Sequence, residues 1–234
     1  MVDEIPREST AVIGHAYGAP GQDQNEGFIS PKIELFLDSY KSYFEIVIFT
    51  GDVFREPTSQ KWARLHEKYQ KQFHIYVAPG NHDIGTPSAR QIFLASPFNL
   101  AAKSIRVPNH NFIIEDSVSS NWLLSQRTRS QINSSKDEAL FLFRHNLPTI
   151  EMLPIANSND LASAHLPSVQ ELGNLIKSSK TLTIISGDTG AFERLPRVTC
   201  HTYRNITFIS SGIGDLPNDA VLLLKNNEVF HFPL

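Results

Sequence analysis

Residues 45–83 carry the pattern that restricts the fold most. Two short apolar runs, EIVIFTGD (45–52) and FHIYVAPGNHD (73–83), each stop at a glycine followed by polar residues. Between them lies SQKWARLHEKYQKQ (59–72). The middle segment repeats apolar residues at helical spacing, with Trp62, Leu65 and Tyr69 on one face. Short apolar runs bounded by turn formers read as buried strands. Strand, helix and strand in that order are the unit of a mostly parallel sheet covered by helices. The segment before extends the unit. AVIGHAYG (11–18) reads as another strand, and KIELFLDSYKSY (32–43) as a helix, with Pro31 suited to its first turn.

The second half is richer in strands. NFIIED, NWLLS (121–125), ALFLFRH, TLTIISGD, VTCHTY and ITFIS all qualify, as do AVLLL and EVFHF, a pair joined by KNN as a hairpin turn. SVQELGNLIKSS (168–179) is the one helix predicted there, and 19–31, 84–104 and 149–167 read as polar loops. No boundary interrupts the pattern, so residues 1–234 are expected to form a single α/β domain with strands enough for two sheets. A hydrophobic content of 41% supports a sizeable core. The net charge of −3 and the lack of a basic block argue against a nucleic-acid partner; the RTR cluster (127–129) reads as solvated surface. The single Cys200 excludes an internal disulfide and a cysteine-rich zinc site. The polar, acidic start MVDEIPREST is no secretory signal, and no apolar run nears the ~18 residues of a membrane helix. A cytoplasmic protein without a membrane partner is the expectation.

The strand ends are chemically uniform. They deliver His15 and Tyr17, then Asp52, then Asn81, His82 and Asp83, then His145, then Asp188. Each alone is an ordinary turn former or a core histidine. Ligands of open α/β sheets, however, sit beyond the carboxyl ends of the strands, and five such ends together describe one site.

The order GD, GNHD, FRHNLP and Gly187-Asp188-Thr189-Gly190, each piece closing an apolar strand, resembles the calcineurin-like metallophosphoesterase family over nearly the whole chain. The resemblance implies a four-layer α-β-β-α sandwich of two mixed sheets. It also implies hydrolysis of a small phosphorylated substrate, monoester or diester. A bound divalent cation supplies the nucleophile and charge neutralisation that this reaction needs. Carboxylate, amide and imidazole ligands suit Mn²⁺ or Fe²⁺ first, with Zn²⁺ or Ni²⁺ also accommodated, as one or two ions. On the family pattern Asp52 bridges two metals, and Asn81 and His145 bind the second. His82 acts as acid or phosphate stabiliser, Asp83 accepts the other His82 N–H, and Arg55 reaches a phosphate oxygen.

Two motifs depart from that pattern. His15 stands at the first motif's aspartate position and Tyr17 at its histidine position. Asp188 replaces the last motif's first histidine, and Gly190 leaves the second without a side chain. The exchange conserves total ligand charge. The metal set becomes His15, Asp52, Asn81, His145 and Asp188, with Tyr17, His110 and His201 undecided. Three readings follow: a hydrolase with a retuned ligand set, a binding or scaffolding module on the same sandwich, or a different metal-dependent hydrolase or unrelated nucleotide binder. A nucleotide binder is disfavoured, because the chain has neither a P-loop nor a dinucleotide fingerprint.

Overall fold

The computed structural model describes residues 4–19, 28–99, 103–107, 110–135, 139–151, 166–176, 181–189 and 198–234. Gly190 and most of 149–167 lie outside these residues, as do the end of the 168–179 helix and part of the 19–31 loop.

The described residues form eleven strands in two sheets. The first sheet holds β1 (Ser9–Ile13), β2 (Phe44–Phe49), β3 (His74–Val77), β10 (Ala220–Lys225) and β11 (Glu228–Pro233), in the order β11-β10-β1-β2-β3. Here β1, β2 and β3 run parallel, and the hairpin β10–β11 is antiparallel to β1. The second sheet holds β4 (Lys103–Val107), β5 (His110–Ile114), β6 (Ala139–Arg144), β7 (Thr181–Ser186), β8 (Val198–Tyr203) and β9 (Ile206–Ser211), in the order β4-β5-β6-β7-β9-β8. Its four central strands are parallel and its two edge strands antiparallel.

Alternate residues of one strand bury on opposite faces. Ile46 and Ile48 of β2 face the layer between the sheets, where they join Phe112, Phe141, Phe143, Ile185 and Ile209. Val47 and Phe49 face outward onto Trp62, Leu65 and Phe36 of the helices α1 (Pro31–Tyr40) and α2 (Ser59–Tyr69). On the second sheet Leu140 and Leu142 face outward to Ile132 and Leu172 of α5 (Gln126–Ser134) and α6 (Val169–Leu175). Both sheets are thus buried on both faces, and the molecule is the four-layer sandwich expected from the sequence.

Several local expectations change. NWLLS is not a strand: Asn121 and Trp122 have φ of 51° and 70°, a left-handed pair that turns the chain, and Leu123 is exposed. The polar segment that follows, RTR included, is α5, capped by Ser125, whose hydroxyl accepts the Thr128 N–H. The supposed loop 84–104 contains α4 (Pro87–Leu94), capped by Thr86, and begins β4. The turn after β10 is as expected, with Asn226 and Asn227 both left-handed.

Candidate metal centre

The two sheets meet at the carboxyl ends of their strands. A Cβ on Gly14 would lie 2.6 Å from Gly187 Cα, and one on Gly187 would lie 2.0 Å from the Thr50 carbonyl oxygen. Only glycine permits backbones to approach this closely. The polar strand ends of the first sheet therefore face those of the second with almost no space between.

Three histidines share one arrangement. His15 Nδ1 lies 3.0 Å from the Ile213 carbonyl, His145 Nδ1 lies 3.1 Å from that of Thr50, and His82 Nδ1 lies 2.8 Å from that of Arg55. A carbonyl only accepts, so each Nδ1 carries the proton and each Nε2 turns into the site. This is how ligating imidazoles are held in metalloproteins. The support is reciprocal: the first sheet's His15 leans on the loop after β9, and the second sheet's His145 leans on the end of β2.

Around His145 Nε2 stand acceptors: Asn81 Oδ1 at 2.9 Å, Asp52 Oδ1 at 3.5 Å and Asp188 Oδ1 at 3.6 Å. Such a cluster can be satisfied by a cation or by a proton on Nε2. An ion with bonds of ~2.0–2.2 Å places neighbouring donors roughly 2.8–3.6 Å apart, the span of the three distances. Among the described residues no three His, Cys, Asp or Glu side chains form an ion cage by themselves. With the Asn81 amide included, the donor set could hold one hard or borderline cation.

Without an ion, a proton takes that place. Burial alone would lower the His145 pKa, but the Asp52 and Asp188 carboxylates outweigh it and hold the imidazole above its ordinary value. A cation must then displace the Nε2 proton. Mn²⁺ binding is expected to release a proton on the acid side of that raised value, where affinity falls by up to about tenfold per pH unit. Calorimetry in buffers of different ionisation enthalpy counts the proton; a count of zero there would remove His145 from the shell. In the ion-free chain the same shift stabilises the fold below about 6.5, the ordinary imidazole value, and the gain is lost as pH rises through the raised value.

Asp52 and His15 both hold left-handed backbone, with φ of 54° and 52°. Non-glycine residues adopt this rarely, and such strain gathers at functional sites. Asp52 Oδ1 accepts the His82 N–H at 3.0 Å, and Oδ2 faces His15 Nε2 at 3.9 Å. His15 is buried, and burial first of all lowers its pKa, so it is a neutral ring. The Tyr17 hydroxyl lies 3.4 Å from His82 Nε2, and its ring packs 4.2 Å from His15. Burial, and next the Asp52 and Asp188 charges, push the phenol above its ordinary range, so it remains a neutral donor.

Asp83 requires a correction. Its carboxylate does not accept the His82 ring N–H; it accepts the backbone N–H groups of Gly80 at 2.9 Å and Val53 at 3.2 Å. It ties the turn before the four-residue helix α3 (Asn81–Ile84) to the end of β2, and the Arg55 carbonyl orients His82 instead. Burial, and next the Asp52 charge, push the Asp83 carboxyl up. The Arg55 side chain lines a cavity of about 420 Å³ beside His82, with Glu56, Pro57, Thr86 and Ile92. His201 is exposed on the edge strand β8, against Phe208. His110 begins β5.

Sequence reasoning missed Asn146. Its Nδ2 donates to Asp188 Oδ2 at 3.3 Å, while its Oδ1 accepts the Ser117 hydroxyl and its N–H is bound by Ser117 Oγ. Its place directly after His145 was the available signal. Arg144 was also missed. It is fully buried and paired with Glu115 at 3.3 Å, and it anchors the chain just before His145.

The chain has the calcineurin-like metallophosphoesterase fold. No protein-family model and no curated protein matches it. Among solved structures it is similar to the phosphopantetheinyl hydrolase PptH from Mycobacterium tuberculosis. The TM-score is 0.53 and the identity 12%, over 91% of this chain and 92% of that one. A single mutant of Vps29 from Entamoeba histolytica also matches, with TM-score 0.45 and 12% identity over 97% and 92% of the two chains. At these identities the likeness is one of fold.

Proposed function

We propose that the protein is a metal-dependent phosphoester hydrolase acting on small phosphorylated substrates in the cytoplasm, with Mn²⁺ or Fe²⁺ as its ion. The observation that supports this reading is the ring of inward-facing acceptors: three carbonyl-held imidazoles around Asp52, Asn81 and Asp188. Asp52, Asn81, His145 and Asp188 would hold the ion, which when bound supplies Lewis acidity and an activated water at neutral pH.

The chain's own groups supply the rest. His82 is half-buried at the rim, with Nδ1 fixed and Nε2, 3.4 Å from the Tyr17 hydroxyl, the nitrogen that would carry a proton to a leaving oxygen. The Tyr17 hydroxyl offers a neutral donor beside it. Arg55, at the wall of the adjoining cavity, would contact phosphate oxygens through its guanidinium. The cavity itself takes the leaving group.

His82→Ala is expected to lower turnover of a generic phosphomonoester by about 10²–10⁴-fold, with metal content and melting temperature nearly unchanged. An unaltered rate removes His82 from the reaction. Metal-loaded protein that hydrolyses neither a monoester nor a diester would support the binding or scaffolding module instead. No helix among the described residues is long and apolar enough to cross a membrane.

A further inference from the structure

We propose that Asn146 is a positioning residue that decides which ion the centre takes. It ties down one oxygen of Asp188, so this carboxylate meets an ion through its other oxygen alone, and the centre thereby favours first-row ions over Ca²⁺. The inference rests on the reading of the centre as a metal site.

Asn146 follows β6 and is buried together with Ser117, the residue it leans on. Its backbone is held from two sides. The Asn146 N–H donates to Ser117 Oγ at 3.0 Å, and its carbonyl accepts the Ser186 hydroxyl at 3.2 Å. These bonds leave the side chain little freedom. Ser117 has one hydroxyl proton, and it donates that proton to Asn146 Oδ1 at 3.0 Å. The amide nitrogen then faces Asp188 and donates to Oδ2 at 3.3 Å. A reversed amide would set its oxygen against the carboxylate, two acceptors turned toward each other without a proton between them. Ser117 and Asp188 thus fix the amide orientation from opposite ends.

The two Asp188 oxygens have different tasks as a result. Oδ2 belongs to the Asn146 amide, while Oδ1 lies 3.6 Å from His145 Nε2, on the ion side. A carboxylate at this position could bring two oxygens to an ion. With Oδ2 held it brings one, as the imidazole it replaces would. That count matters because cations differ in what they require. Ca²⁺ takes about 6–8 oxygens at ~2.3–2.6 Å and often gains two of them from one carboxylate. A first-row ion needs about four to six donors at shorter distance, and it accepts an imidazole nitrogen among them. Releasing Oδ2 would therefore move the centre toward the shell that Ca²⁺ prefers. Holding it keeps the shell small.

The test is the affinity of the full chain for Mn²⁺ and for Ca²⁺, measured by calorimetry on the parent, Asn146→Ala and Asn146→Leu. Leucine fills the space of the amide without its donor, so a cavity alone cannot explain a shared result. The parent is expected to prefer Mn²⁺. Both variants should bind Mn²⁺ about 10–100-fold more weakly, the usual effect of removing a hydrogen bond to a ligating group. Ca²⁺ binding should hold or improve, so the preference for Mn²⁺ falls by at least about tenfold. A purely structural role would weaken both ions alike. An unchanged ratio of the two affinities, in either variant that folds, therefore overturns the proposal. So does a parent that binds Ca²⁺ as tightly as Mn²⁺, a result that needs no variant. Binding of neither ion by the parent would overturn the reading of the centre as a metal site. A Mn²⁺-selective parent that hydrolyses no phosphoester, with the ratio lost in the variants, would support this proposal and overturn the hydrolase reading.

Discussion

Asp52→Asn is expected to lower turnover by roughly 10³-fold or more and to lower metal content with it, several kcal/mol of charge stabilisation being lost together. The substitution is nearly isosteric. An amide oxygen still accepts the His82 N–H that Oδ1 accepts at 3.0 Å, and asparagine suits the left-handed backbone at φ 54°. The fold should therefore survive. What disappears is the negative charge that lies 3.5 Å from His145 Nε2 and 3.9 Å from His15 Nε2. Every ion at the centre depends on that charge. Metal analysis beside steady-state kinetics gives the result, and a variant with full metal content and full activity would mean the strand-end site is wrongly assigned.

Gly51→Ala should cost about 3–5 kcal/mol of stability, a large effect for one methyl group. Gly51 has φ 89°, where a side chain adds about 1–2 kcal/mol of strain. The new Cβ would also lie 2.4 Å from His145 Nδ1 and 2.5 Å from Cγ of the same ring. That ring is wedged between the Thr50 carbonyl and the Asn81 amide, so it cannot withdraw without giving up both. Denaturant unfolding measures the loss, and ion affinity should drop in parallel. Gly173→Ala in α6 is the comparison. There only the Tyr203 ring edge comes within about 3 Å, and alanine's helix preference offsets the crowding to within about 1 kcal/mol. Equal effects at the two positions would show that the sheets do not meet as tightly as described.

The central strands of the first sheet, β1, β2 and β10, were legible because each is a short apolar run with a turn former at its end, and because both faces are buried. The sequence of β2 thus reads as continuous rather than alternating. NWLLS misled for the same reason. It is apolar enough for a strand, but its backbone direction is set by two left-handed residues that composition does not reveal. The helices α3, α4 and α5 are short or polar, and their caps at Thr86 and Ser125 stand out only once the turn is in place. At the centre, residue types could be read from the strand ends, since ligand chemistry limits which side chains serve. Their partners could not. The carbonyls of Thr50, Ile213 and Arg55 belong to no motif, and the assignment of Asp83 to His82 failed because backbone N–H groups at Gly80 and Val53 lie closer to it. Asn146 escaped because its role exists only after β6 and β7 pair and bring it beside Asp188.

The position of β1 has a consequence for biosynthesis. It lies between β2 and β10, with Thr10 opposite Leu224. β2 emerges from the ribosome soon after β1, but β10 only after the six strands of the second sheet. At about 5–20 residues per second, β1 spends most of that interval with one edge unpaired, and all five of its residues are destined for burial. An unpaired apolar edge is where nascent chains join one another instead of folding. The histidine that β1 delivers to the centre is thus secured by a hairpin that holds no site residue, and the centre cannot assemble stepwise as the chain is made.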